Sequence, residues 1–129
     1  MVAIFSARDQ YHSTCVEWLS SLKPPLLTCW PVITEAAWLL RRTPSAIRDV
    51  LAMVDAGLFS LLPLDASAPS SIRLFLARYE TLGAQLADAA LMYLAEREGI
   101  DAIFTLDQRD FTVYRTTRGR RMKIVPELP

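Results

Sequence analysis

The sequence predicts a single α/β domain in which helices cover both faces of a mostly parallel β-sheet. Two features lead to this prediction. Short apolar runs alternate along the chain with longer segments in which apolar residues recur at helical spacing. The chain also has 129 residues, enough to bury one core and too few for two domains of ordinary size. We therefore expect one domain over residues 1–129.

The first elements are delimited by prolines. A helix over residues 11–22 ends before the proline pair at positions 24 and 25. The short apolar run at residues 26–29 predicts a buried strand. A second helix, over residues 32–42, follows Trp30-Pro31.

A third helix has clear signals at both ends. Thr43 is predicted as its N-cap, with Pro44 at the first helical position and Gly57 as its C-terminal stop. The apolar residues 58–64 then predict a second strand.

The second half of the chain repeats the alternation. Amphipathic spacing predicts a helix over residues 71–81, and a stronger one over residues 86–98 closes at Gly99. Residues 102–106 form the clearest strand of the chain. A turn, an aromatic stretch and a last strand are predicted at residues 107–110, 111–114 and 122–125.

Composition and charge narrow the possible partners. Fourteen Lys and Arg residues balance fourteen Asp and Glu residues, so no overall field draws the chain to a polyanion. Binding to a nucleic acid would need a local basic patch or bound metal ions. No apolar run reaches the ~18 residues of a membrane span and no basic-then-apolar leader opens the chain, so we expect a cytoplasmic protein. Cys15 and Cys29 are interpreted as small hydrophobic residues.

Three acidic residues from separate segments are predicted to meet at one edge of the sheet. Glu35 is assigned to the first turn of the second helix and Asp88 to the first turn of the helix over residues 86–98. Asp107 directly follows the strand over residues 102–106. Because helices in such a fold run antiparallel to the strands, these positions share the edge where strands end. The opposite edge is predicted to hold solvated acids, Glu96, Glu98 and Asp101.

Carboxylates in one cleft, without His or Cys, suit a hard cation such as Mg²⁺ or Mn²⁺. The cation would relieve the repulsion between the carboxylates, and Asp88 is expected to be partly buried because its neighbours are apolar. An alternative stays open for the same residues. Each acid could instead cap a helix N-terminus and complement the helix dipole.

The stretches around these acids contain distinctive motifs. Residues 78–91 read RYETLGAQLADAAL, residues 103–111 read IFTLDQRDF, and residues 33–36 read ITEA. The first two resemble the C-terminal signature of the PIN-domain family, and the third resembles its second acidic motif. The likeness covers nearly the whole chain and is strongest to VapC-like toxins.

The resemblance implies a PIN-like three-layer α/β/α fold and a metal-dependent endoribonuclease, the toxin of a type II toxin–antitoxin pair. Glu35, Asp88 and Asp107 would be the catalytic metal ligands for Mg²⁺ or Mn²⁺. Asp110 would be a weaker ligand, and Thr105 would supply a hydroxyl near the site. The resemblance further implies an RNA substrate, a homodimer and a cognate antitoxin whose tail fills the catalytic groove.

The start of the chain departs from the family pattern. PIN domains begin with an apolar strand that ends in an aspartate, the first metal ligand. Residues 1–6, MVAIFS, resemble the helix that follows this strand, so the first central strand is missing from an N-terminally short domain. Either the start lies several residues upstream, or the protein has lost a ligand and part of its core. Both alternatives leave open whether the 129-residue form is active.

Two further groups of residues have surface interpretations. A run of cations beside Tyr114 could grip an RNA backbone, although a solvated basic hairpin explains it equally well. Its members are Arg115, Arg118, Arg120, Arg121 and Lys123. Trp18, Trp30 and Trp38 are interpreted as core or dimer-interface anchors rather than base-stacking platforms.

Two rivals to the nuclease come from other functional classes. A catalytically impaired PIN-fold module would bind an antitoxin or RNA without cleaving it. An upstream in-frame apolar segment ending in Asp would favour the nuclease over this module. An Mg²⁺-dependent phosphotransfer domain of the receiver or phosphatase type could use Lys123, but the sequence has no Asp-x-Asp nucleophile pair.

Overall fold

The computed structural model describes residues 25–105 and 108–125. The chain forms two compact units, Met1–Leu62 and Pro63–Pro129. The predicted helix over residues 11–22 lies outside the described residues, as do residues 1–6, on which the expectation of an absent first strand rests. Cys15 and Trp18 also lie outside them.

The first unit contains a parallel pair of strands joined through two helices. Strand β1 (Leu26–Thr28) pairs in parallel with strand β2 (Phe59–Leu61). Helices α1 (Trp30–Leu39) and α2 (Pro44–Asp55) lie between them in the chain, as a parallel connection requires. Both predicted strands are confirmed, with β2 shorter than the predicted run.

The ends of the two helices confirm one prediction and correct another. Helix α2 begins at Pro44, and Gly57 follows its last turn with a φ of +83°, so the predicted start and stop are confirmed. Thr43 occupies the N-cap position, but its side chain makes no capping hydrogen bond. Helix α1 begins two residues earlier than predicted, with Cys29 as an extended N-cap residue. Pro31 is therefore inside the first turn, where proline is well tolerated.

Small and branched apolar residues form the core of the first unit. The buried residues of its described part include Cys29, Ile33, Ala36, Val50 and Phe59. Trp30 and Trp38 are 58% and 64% exposed, so the core interpretation is wrong for these two side chains. Their role as interface anchors stays a prediction.

The second unit repeats the pattern of helices and a parallel strand pair. Its elements are α3 (Ala68–Arg78), a 3₁₀ turn (Glu80–Leu82), α4 (Leu86–Arg97), β3 (Ala102–Phe104), α5 (Gln108–Val113) and β4 (Lys123–Val125). Strands β3 and β4 run parallel, with Ala102 opposite Lys123. Helix α4 and both strands were predicted from sequence, and α3 begins three residues before its predicted start.

Residues 108–110 form the start of helix α5 and not the predicted turn. Phe111, in the middle of this helix, is 2% exposed and packs into the core of the second unit. Burial of this aromatic ring favours a helical turn over the local polar sequence. The rest of that core comprises Tyr79, Met92, Ala95, Ile103, Tyr114 and Met122.

The mixed α/β class is confirmed, and both strand pairs are parallel as predicted. The three-layer arrangement and the single domain stay predictions. Among the described residues, no helix has the length and apolar character needed to cross a bilayer.

Candidate metal centre

Asp88 is a buried carboxylate in the first turn of helix α4. Its exposed fraction is 8%, which confirms both its predicted place in the helix and its predicted burial. The residues around it, Ala87, Ala89 and Ala90, are also buried, so the start of α4 packs on more than one face. The helix dipole favours a negative charge at this end. A carboxylate this deeply buried needs polar partners in the protein or a bound cation.

The hydroxyl of Tyr114 is one such partner. It donates a hydrogen bond to Oδ2 of Asp88 at 3.1 Å. Tyr114 is fully buried, and its backbone N–H donates to the carbonyl oxygen of Asp110 at 3.1 Å. The end of helix α5 is therefore held against the first turn of helix α4.

The other predicted residues of this unit follow strand β3. Thr105 comes directly after the strand and is half-buried. Asp110 is half-buried in the first turn of helix α5. Asp107 lies outside the described residues, so its assignment as a ligand stays a prediction.

These donors have the chemistry of a site for a hard cation. Asp88, Asp110 and Thr105 offer only carboxylate and hydroxyl oxygens, which Mg²⁺ and Mn²⁺ prefer. Over residues 25–105 and 108–125, no three His, Cys, Asp or Glu side chains lie close enough together to hold a metal ion. A complete ligand set would therefore need Asp107 or another acid outside these ranges.

The predicted position of Glu35 in its helix is wrong. Because helix α1 begins at Trp30, Glu35 is the sixth residue and lies in the second turn. Its side chain is exposed. Its role as a metal ligand stays a prediction from the motif at residues 33–36.

The five predicted RNA-binding cations differ in what they contact. The Nη1 atom of Arg115 donates to the carbonyl oxygens of Thr112, Val113 and Tyr114, at 2.7, 2.8 and 2.9 Å. This guanidinium therefore caps the C-terminus of helix α5. The side chains of Arg118, Arg120, Arg121 and Lys123 are exposed.

The basic hairpin is anchored at the other end of helix α4. The hydroxyl and the backbone N–H of Thr117 both donate to the carboxylate of Glu96. Glu96 is eight residues beyond Asp88, about 12 Å along the helix. Lys123 begins β4 opposite the first residue of β3. RNA binding by the hairpin stays a prediction. The prediction that Glu96 is a solvated acid is wrong, because its side chain is half-buried and accepts hydrogen bonds from Thr117.

Tyr114 was named from the sequence only as a neighbour of the basic run, and its contact with Asp88 was not predicted. A buried tyrosine normally has a hydrogen-bond partner for its hydroxyl. A tyrosine in an apolar stretch close to candidate metal ligands could therefore have been considered as a partner of one of them. The partner itself, 26 residues earlier in the chain, depends on how α5 packs against α4.

Comparison with known proteins identifies the family of this chain. The chain belongs to the PIN domain family, whose sequence model matches residues 1–116. It is also similar to Ribonuclease VapC26 of Mycobacterium tuberculosis (strain ATCC 25618 / H37Rv). The two are 27% identical over 128 residues, which cover 98% of this chain and 95% of the relative.

Proposed function

We propose that this protein is a metal-dependent endoribonuclease that hydrolyses RNA phosphodiester bonds, the toxin component of a toxin–antitoxin pair. The observation that carries the proposal is the burial of the Asp88 carboxylate in a chain of the PIN domain family. Burying an ionised carboxylate costs free energy unless its oxygens are well partnered. A divalent cation held by Asp88 would offset that cost and would give the buried acid a catalytic role.

Asp88 and Asp107 are proposed as the main metal ligands of the second unit, with Asp110 as a weaker one. Glu35 is proposed as a further ligand from the resemblance of residues 33–36 alone. A bound Mg²⁺ or Mn²⁺ would supply an activated water and stabilise the negative charge that develops on the phosphate. The protein's own part is to hold the carboxylate oxygens in a fixed orientation. The support for this is the hydrogen bond that Tyr114 donates to Asp88, and Thr105, directly after strand β3, is proposed to supply a hydroxyl near the site.

The proposed partners come from the likeness to a VapC ribonuclease. They are an RNA substrate, a cognate antitoxin that inhibits the enzyme, and a second copy of the chain in a homodimer. The exposed Trp30 and Trp38 are available for such an interface. The proposed location is the cytoplasm, where RNA is found.

The decisive experiment compares two aspartates on either side of strand β3. Asp107→Asn is expected to abolish Mn²⁺-dependent cleavage of RNA because it removes a ligand. Asp101→Asn is the matched control, since Asp101 precedes the strand and is exposed. It is expected to cleave like the parent protein, and circular dichroism should show that both variants are folded.

Equal cleavage by Asp107→Asn and the parent would overturn the proposal. A parent protein that binds RNA or antitoxin but neither binds Mn²⁺ nor cleaves would also overturn it. That second result would favour the binding module without catalysis.

A further inference from the structure

The ring of Tyr114 is fully buried within a cluster of aromatic side chains. Its ring makes edge-on contacts with three other aromatic rings, those of Phe75, Tyr79 and Phe111, at centroid distances of 4.9, 5.0 and 5.1 Å. Because the ring is fully buried among these neighbours, a different rotamer would have to displace them, which disfavours rotation of the side chain. Its hydroxyl therefore has one fixed position, beside Oδ2 of Asp88.

The backbone that carries Tyr114 is fixed as well. The N–H of the next residue, Arg115, donates to the hydroxyl of Tyr79 at 2.9 Å. The Arg115 guanidinium binds the last two carbonyl groups of helix α5 and that of Tyr114, which follows the helix. Helices α3 and α5 thus jointly determine where the Tyr114 hydroxyl lies.

From this geometry we infer that Tyr114 is a positioning residue for the metal centre, acting through Asp88. This inference rests on the proposed function. The phenol occupies one face of Oδ2 and orients the carboxylate plane before a cation binds. Groups that orient a metal ligand raise metal affinity, because the ligand then loses less freedom on binding.

Two tyrosines whose hydroxyls each donate to an aspartate provide a matched pair for the test. Tyr114→Phe removes the hydroxyl that contacts Asp88, and Tyr93→Phe removes a hydroxyl that contacts Asp65 instead. Each variant keeps its ring and loses its hydroxyl, so we expect both to lose stability in urea. Only Tyr114→Phe is expected to weaken Mn²⁺ binding, by about 10- to 100-fold, as measured by calorimetry on the full chain.

Spectroscopy gives a readout that a purely structural role would not change. The electron paramagnetic resonance spectrum of bound Mn²⁺ should differ between Tyr114→Phe and the parent, and should be unchanged in Tyr93→Phe. In an Asp88→Asn background, Tyr114→Phe should have no further effect on Mn²⁺ affinity, because the two residues act in series.

The outcomes separate this inference from the proposed function. If the parent binds Mn²⁺ and both phenylalanine variants bind it equally well, the positioning role of Tyr114 is wrong and the nuclease proposal stands. If the parent fails to bind Mn²⁺, the proposed function itself fails. Should Tyr114→Phe not fold, p-fluorophenylalanine at position 114 puts a fluorine where the hydroxyl was and donates no hydrogen bond to Asp88. Unchanged Mn²⁺ affinity there would equally overturn the inference.

Discussion

The hydroxyl of Tyr93 donates a hydrogen bond to Oδ1 of Asp65, with 2.5 Å between the two oxygens. Arg97, one turn further along helix α4, binds the other carboxylate oxygen of Asp65 at 3.1 Å and the carbonyl oxygen of Pro63 at 2.7 Å. The backbone N–H of Ser67 also donates to Asp65. The segment before helix α3 is thereby attached to the outer face of α4 through one carboxylate.

This attachment makes the stability of the protein depend on pH in the acidic range. The hydrogen bond from Tyr93, with a smaller effect of Arg97, holds the pKa of Asp65 below its usual value of 3.8. A carboxyl group with a lowered pKa stabilises the fold above its unfolded-state pKa, and this contribution disappears as the pH falls through the folded-state value. Asp65→Asn is therefore expected to be less stable than the parent in urea at pH 5–8, and the difference should shrink below about pH 4.

The control is Asp55→Asn, which neutralises an exposed aspartate at the end of helix α2. Its stability should differ little from that of the parent protein across the same pH series. The prediction would be contradicted if the difference in stability between Asp65→Asn and the parent stayed constant down to pH 2. The ionisation of Asp65 would then make no contribution to the free energy of unfolding.

Sequence patterns predicted Asp88 well because both relevant signals are local. Asp88 lies three residues after the N-cap of a helix, and the alanines on either side of it predict that it is buried. Glu35 was misplaced because the helix start was assigned after Pro31, although proline is common in a first turn.

Residues that work through tertiary packing could not be predicted in the same way. Tyr114 and Asp65 each have partners 26 or more residues away, and no periodicity encodes these pairs. Arg115 looked like one of five equivalent cations. The structure shows instead that the Arg115 guanidinium donates hydrogen bonds to backbone carbonyl groups at the end of helix α5.

The thiol of Cys29 is expected to be unreactive in the folded protein. The residue is fully buried, and this burial raises the pKa of its thiol, an effect that a backbone hydrogen bond from Val32 partly offsets. Thiolate is the reactive form, so both burial and the raised pKa slow the reaction. In a Cys15→Ser background, labelling by a thiol reagent should be at least ~10³-fold slower in the native protein than in urea, in line with the folded-to-unfolded ratio of a small domain.

The variant that lacks both cysteines, Cys15→Ser with Cys29→Ser, serves as the control, because any labelling that remains in it does not come from a thiol. Rapid labelling of Cys29 without denaturant, at a rate similar to that of the unfolded chain, would contradict the buried position.

The exposed arginines of the basic hairpin should change the salt dependence of RNA binding. In a cleavage-deficient Asp107→Asn background, simultaneous replacement of Arg118, Arg120 and Arg121 by Ala is expected to reduce the slope of log K against log salt by about 2, at ~0.7 per contact with single-stranded RNA. A matched triple replacement removes the same charge from the exposed Arg42, Arg48 and Arg73. Equal slopes for the two triple variants would show that the hairpin is not an RNA contact.

Gly83 is expected to contribute to the stability of the fold because its backbone adopts a conformation that other residues disfavour. It ends the 3₁₀ turn with a φ of +69°, two residues before the N-cap of helix α4, and a Cβ atom there would meet no other atom within 4 Å. Alanine in this left-handed conformation carries a strain of about 1–2 kcal/mol, which the reduced entropy of the unfolded chain partly offsets. Gly83→Ala should therefore lower the free energy of unfolding by about 1 kcal/mol in urea titrations. Gly83→Asn should lower it less, because asparagine adopts positive φ more readily. Equal losses for Ala and Asn would point to a steric cause and contradict this explanation.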